Sequence, residues 1–183
     1  MNIDSIINKL SKKSTTRIES LHLLKSLKKE IRDKSASRII SIEDIKQIFQ
    51  KILEDTDLIE CPTFIVRLYL ASCFSDAFYI FVPDIPLLTT GQLDAVFQLF
   101  STVIPVNYQE ESTEYNIIQS IIDVLNITDS YLLISNRDVS YEMIESMIKM
   151  KPVSNLNDRY DSNFQNAIKF IVNLINASTS DLI

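Results

Sequence analysis

The side chains that most often carry out catalysis are scarce and widely separated in this sequence. His22 is the single histidine, and the two cysteines, Cys61 and Cys73, lie twelve positions apart. A nucleophilic cysteine or serine would need a base such as His22 beside it, and no spacing brings them together. Two cysteines without a second pair do not form the ligand set of a zinc site. We therefore expect reduced, partly buried thiols, a surface histidine, and no catalytic residue, metal or cofactor.

The low glycine content limits the fold classes that this sequence can adopt. Gly91 is the one glycine among 183 residues. Phosphate-binding loops and dinucleotide-binding turns need several glycines, and tight β-hairpins need glycine for positive φ angles. The sequence therefore predicts an all-α protein and excludes the commonest nucleotide-binding enzymes. A small helical-bundle enzyme is disfavoured because it would lack a catalytic cluster.

Apolar residues recur at helical spacing along nearly the whole chain. The sequence Thr89-x-x-Gln92 has the form of a capping box at the start of one helix. The apolar face of that helix is Leu93, Val96, Phe97, Leu99, Phe100 and Val103. An earlier helix carries the stripe Ile18, Leu21, Leu24, Leu27 and Ile31.

Seven or eight such helices fit the chain, in pairs that repeat about every forty residues. This period is typical of a right-handed HEAT or armadillo solenoid, although the pattern alone leaves a compact bundle open. We expect one domain over residues 1–183. Basic N-terminal helices occupy 1–60, a motif-bearing helix pair occupies 63–104, and further repeats occupy 111–183.

Charge is distributed unevenly along the chain. Residues 1–51 contain 12 Lys and Arg against 6 Asp and Glu, whereas residues 52–183 contain 6 against 18. Lys25, Lys28, Lys29 and Arg32 form a basic stripe at helical spacing. We interpret the stripe as a solvated helix face, and the alternative is a patch for a phosphate-rich or acidic partner. The net charge of −6 argues against nucleic acid as the main ligand.

The most apolar stretch begins at Phe64 and contains two charges, Arg67 and Asp76. A membrane span would have to bury both charges, at a cost of roughly 2.5–3.5 kcal/mol each near its centre. Nine positions apart, the two residues face opposite sides of a helix and cannot pair with each other. We interpret the stretch as a helix buried between neighbouring helices, with Arg67 and Asp76 in structural roles between repeats. No membrane partner is expected.

A short segment bounded by prolines follows that helix. It reads Val82, Pro83, Asp84, Ile85 and Pro86. Each proline favours an extended backbone at the residue before it, so the segment is stiff and presents one carboxylate and one aliphatic side chain. A rigid loop loses little entropy when it captures a peptide. A plain connector between helices is the alternative.

The segment from Val66 to Phe100 resembles the N-terminal region of the Pds-five family, the "precocious dissociation of sisters" proteins that regulate cohesin. The spacing of the family motif holds without a gap over about 35 residues. The matching positions are Val66 with Arg67, Ala71 with Cys73, Asp76, Phe81, the segment 82–86, Thr89, and Leu93 with Phe97.

This resemblance implies a non-catalytic HEAT-repeat scaffold on chromatin in the nucleus, which binds the cohesin complex and its regulators. In the family, an Ala-Pro-Asp-Ala-Pro segment docks short Tyr-Ser-Arg peptides found in Wapl and sororin. Carried over to this chain, the peptide site is residues 82–86, and Asp84 would make a charge-assisted bond to an arginine or a hydroxyl. Val82 and Ile85 replace the two alanines, and Leu87 stands where an aromatic residue is usual.

Family members are several times longer than this chain. The sequence therefore resembles an N-terminal part of a longer array or a reduced version of it, and no kleisin contact is assigned to it. The expected function is regulation of sister-chromatid cohesion through short peptide motifs. The alternative is a generic HEAT or armadillo adaptor unrelated to cohesin.

Overall fold

The computed structural model describes residues 3–10, 16–36, 42–54, 56–81, 88–106, 112–150 and 162–180. These residues form nine α-helices and one 3-10 turn, with no β-strand among them, which confirms the predicted all-α class. The helices are α1 (Ile3–Leu10), α2 (Arg17–Ala36), α3 (Ile42–Glu54), α4 (Thr56–Ile59), α5 (Phe64–Phe81), α6 (Thr90–Val103), α7 (Thr113–Ile127), α8 (Asp138–Ile148) and α9 (Ser162–Ser180).

The helices stack in the order of the chain. One layer contains α2, α5, α7 and α9, each packed chiefly on the next, while α6 packs on α8 and α1 on α3 in the other layer. Contacts between the layers join α1 to α2, α5 to α6 and α8 to α9. Neighbour-on-neighbour stacking of this kind is the arrangement of a helical-repeat array rather than of a closed bundle.

The helix α5 lies at the centre of the stack, between α2, α6 and α7. Twelve of its eighteen residues are buried, from Val66 to Phe78. By length and composition it is the one described helix that could cross a membrane, and core helices satisfy the same test. Because neighbours cover it on several sides, its sequence is apolar nearly all round and shows little of the periodicity of an amphipathic helix.

The helix α6 matches the sequence prediction closely. All six residues of its predicted apolar face are buried. The rings of Phe97 and Phe100 pack edge to face with centroids 5.7 Å apart, and each centroid lies 5.8 Å from that of Phe78 on α5. These three rings join α5 to α6, and Phe78 lies three residues before the end of α5 that leads into the proline-bounded segment.

The prediction of an apolar stripe on α2 is confirmed in the middle of the helix and is wrong at its start. Leu24, Leu27 and Ile31 are fully buried, whereas Ile18 is 82% exposed. Ile18 lies in the first turn of α2. Leu23, which was not in the stripe, is buried.

The predicted capping box is present at the start of α6. The Thr89 hydroxyl accepts a hydrogen bond from the Gln92 backbone N–H, and the Gln92 side chain accepts one from the Thr89 N–H. We expect Thr89→Ala to lower the free energy of unfolding by about 1 kcal/mol, because the Gln92 N–H at the helix start loses the hydroxyl that accepts its hydrogen bond. Urea titration followed by circular dichroism measures this change. Thr90→Ala, which removes an exposed hydroxyl one residue later, is the control, and equal losses in both variants would contradict the assignment.

Candidate functional site

The segment predicted to bind peptides, residues 82–86, lies outside the described residues, and so does Leu87. Its two ends are described. Helix α5 ends at Phe81, and α6 begins at Thr90 after its N-cap residue Thr89. The segment therefore connects a helix of one layer to a helix of the other. Peptide binding by this segment stays a prediction.

A buried carboxylate lies one turn before that end of α5. The side chain of Asp76 is 8% exposed, and its Oδ2 lies 2.9 Å from Lys28 Nζ and accepts a hydrogen bond from Arg32 Nε at 2.9 Å. Its Oδ1 accepts a second bond from Arg32 Nη2, also at 2.9 Å. Lys28 additionally donates to the Ser72 hydroxyl. We name these four residues the Asp76 cluster.

The Asp76 cluster joins α5 to α2 by a two-point contact between the guanidinium and the carboxylate, the strongest geometry for such a pair. The hydrogen bonds that Arg32 donates to Asp76 raise the pKa of Arg32 above its usual value. Two cations at one buried carboxylate satisfy the charge that burial would otherwise penalise.

The basic stripe of α2 is therefore not a purely solvated face. Lys28, 16% exposed, and Arg32 are both used by Asp76, and Lys25 Nζ lies 4.9 Å from the ring centre of Tyr69 on α5. This last geometry suits a cation–π contact. Lys29 is exposed. Sequence reasoning missed the pairing because the partner acid lies 44 positions away, although the i, i+4 spacing of Lys28 and Arg32 suits a shared carboxylate.

The other charged residue of α5, Arg67, forms its hydrogen bond to a residue nearby in the sequence. Its Nη1 donates to the Cys61 carbonyl at 2.5 Å, and its guanidinium carbon lies 5.9 Å from the ring centre of Phe64. This hydrogen bond joins the first turn of α5 to the turn before it. The predicted role of Arg67 between repeats stays a prediction.

The residues considered for catalysis differ in their exposure to solvent. Cys73 is fully buried, and burial raises the pKa of its thiol to about 12, so the thiolate required for nucleophilic attack does not form at neutral pH. Cys61 is partly buried and His22 is exposed on α2. In the part of the chain that the structure describes, no group of three or more His, Cys, Asp or Glu side chains is arranged to hold a metal ion.

A cleft of about 670 Å³ lies beside the Asp76 cluster, across α2, α5 and α7. We name it the α5–α7 cleft. Its lining residues are Arg32, Asp76, Tyr79, Ile80, Asn116, Gln119, Ser120, Asp123, Val124 and Ile127. Sequence reasoning did not find it, because the apolar run of α5 was interpreted as buried throughout, and Tyr79 is in fact exposed.

The stacked helices define the class of the molecule as an α-helical repeat protein. A family model described as "Sister chromatid cohesion protein PDS5 protein" matches residues 5–179. The chain therefore belongs to the Pds5 family, which confirms the resemblance seen in the sequence.

A solved structure has the same fold. The work titled "Structure of the Pds5-Scc1 complex and implications for cohesin function" contains a chain that matches 88% of this one, with a TM-score of 0.64 and 19% identity. The match confirms the predicted HEAT-type helical-repeat fold. This chain spans 24% of that solved chain. Among curated protein sequences, none matches significantly.

Proposed function

We propose that this chain is a non-catalytic scaffold of sister-chromatid cohesion, which acts on chromatin in the nucleus and binds cohesin together with its regulators. The observation that carries the proposal is the Pds5 family match over residues 5–179. The similar solved chain belongs to a complex of Pds5 with Scc1, which supports cohesin as the partner.

The finer part of the proposal concerns the mode of binding. Residues 82–86 take a short peptide of the Tyr-Ser-Arg type, with Asp84 as the anionic contact. Two features support it: the segment holds the family spacing of prolines and acid, and the described ends on either side are well fixed. Phe78 packs on α6 just before the segment, and the capping box fixes the start of α6 after it. A segment held at both ends loses little further freedom on binding.

Fluorescence anisotropy with a labelled Tyr-Ser-Arg peptide tests the binding mode. The wild-type chain should bind the peptide, and Asp84→Ala should bind it about tenfold more weakly, because a charge-assisted hydrogen bond contributes about 1.5–3 kcal/mol. Asp138→Ala, which removes an exposed acid at the start of α8, should bind like the wild type. Equal affinity for wild type and Asp84→Ala, or no binding to either, would exclude docking at this segment.

The broader proposal has a separate test. Affinity purification of the tagged full chain from cells should recover cohesin subunits, and Asp84→Ala should recover them as well if the segment serves regulators alone. Absence of cohesin from both purifications would contradict the scaffold function. The two tests can therefore fail independently.

A further inference from the structure

The α5–α7 cleft has apolar lining residues that are open to solvent. Tyr79 is 63% exposed and Ile127 is 69% exposed. Ile80 and Val124 also line the cleft and are partly buried. Exposed aromatic and aliphatic side chains beside a few polar groups are a common composition of binding surfaces.

The two carboxylates of the cleft, Asp76 and Asp123, differ in their partners. The carboxylate of Asp76 is paired with Lys28 and Arg32. Asp123 of α7, half-buried at the cleft, accepts a hydrogen bond from the Asn166 side-chain amide. Burial raises the pKa of the Asp123 carboxyl, and no cation within the described ranges forms an ion pair with it. Asp123 is thus the group in the cleft that would gain most from a cationic partner.

The guanidinium of Arg32 does not give the cleft a preference for acidic ligands. Two of its donors, Nε and Nη2, are already directed at Asp76. The other described lining residues come from α5 and α7, and they include two acids, Asp76 and Asp123, and no base. The potential around the cleft therefore favours a basic partner over an acidic one.

We propose that the α5–α7 cleft binds a short segment of a partner protein, which places an arginine or lysine against Asp123 and an apolar side chain between Tyr79 and Ile127. The proposal rests on described residues of α5 and α7 and makes no use of residues 82–86, so it goes beyond the proposed function. A partner segment that reached both surfaces would gain affinity from the link between its two contacts.

The test uses the peptide acetyl-Ala-Leu-Arg-Phe-Ala-amide as the probe, titrated into the ¹⁵N-labelled full chain and followed by ¹H–¹⁵N NMR spectra. Saturable shifts should concentrate at the amides of Tyr79, Asp123 and Ile127. The same peptide with glutamine in place of arginine should bind about tenfold more weakly, because it loses the charge-assisted bond. The version with glutamate should bind more weakly still.

Two variants locate the charge contact. Asp123→Asn keeps the shape of the side chain and its bond from Asn166, so its spectrum should remain that of the folded protein. It should bind the arginine and glutamine peptides equally. Asp138→Asn, an exposed acid outside the cleft, should keep the tenfold preference, and so should Asp84→Ala.

Four outcomes would overturn the proposal. They are the absence of saturable shifts at the cleft, preferred binding of the glutamate peptide, an arginine preference that survives in Asp123→Asn, and loss of binding in Asp84→Ala. The last outcome would assign the peptide to residues 82–86 instead. Failure of the Tyr-Ser-Arg peptide to bind would leave the cleft proposal intact, because the proposed contacts at Tyr79, Asp123 and Ile127 do not depend on residues 82–86.

Discussion

A Phe97→Ala variant is expected to unfold with about 4 kcal/mol less free energy than the wild-type chain. Phe97 is fully buried, and its ring packs against the rings of Phe78 and Phe100, which also pack against each other. Alanine would leave a cavity at the junction of α5 and α6, and close packing allows the surrounding rings to fill it only in part. Urea unfolding monitored by circular dichroism at 222 nm gives the free energy directly.

The matched control is Tyr141→Ala, which truncates an aromatic side chain that is exposed on α8. Its expected effect stays within about 0.5 kcal/mol, because surface substitutions rarely exceed that. Phe97→Leu should lie between the two, since leucine fills much of the cavity. A loss below about 1 kcal/mol for Phe97→Ala would contradict the described packing of α5 on α6.

The face of α6 could be predicted because the helix is covered on one broad side. Its apolar residues then follow the helical period, and Thr89 with Gln92 marks the start by local chemistry alone. Helix α5 has no such period, because α2, α6 and α7 all contact it. From the sequence it is therefore recognisable as buried, while the exposed position of Tyr79 is not.

The Asp76 cluster depends on contacts between distant parts of the chain. The sequence shows that a carboxylate in an apolar helix needs a partner, and it shows cations at i, i+4 spacing on α2. The order in which the helices stack depends on the whole array and cannot be derived from the sequence around one residue. The sequence therefore predicts the same structural role for Arg67 and Asp76, although their partners in the structure differ. Arg67 is bound to Cys61 in the turn just before its helix, and Asp76 is bound to Arg32 across 44 positions.

The two candidate sites also differ in how far the local sequence reveals them. Residues 82–86 could be singled out because prolines act on their immediate neighbours, and because the family spacing is linear in the sequence. The α5–α7 cleft is made of residues from three helices, and no segment of the sequence contains it. Asp123 lies in an ordinary amphipathic helix, where nothing local distinguishes it from a solvated acid.

An Asp76→Ala variant is the second large prediction, with an expected loss of about 3 kcal/mol in the free energy of unfolding. The variant leaves Lys28, largely buried, beside Arg32 without the carboxylate that neutralises both. The like charge of Arg32, whose side chain is 54% exposed, then repels Lys28, and the contact between α2 and α5 weakens. Urea titration again measures the loss.

Asp94→Ala is the matched control for Asp76→Ala. Asp94 pairs with Arg137 at 2.6 Å, but both side chains are more exposed to solvent than Asp76. An ion pair of that kind contributes at most about 1 kcal/mol. Equal losses in the two variants would show that Asp76 behaves as a surface acid and would contradict the described burial.

A double variant separates charge from packing. Lys28→Met in the Asp76→Ala background removes the buried cation that the first substitution leaves unpaired, while it keeps an unbranched side chain of similar length. If the loss arises from unpaired charge, the double variant should be more stable than Asp76→Ala alone. If the loss arises from missing contacts, it should be less stable, because two anchoring side chains are then gone. The sign of this difference decides whether Asp76 holds α2 on α5 by neutralising its cations or by filling space.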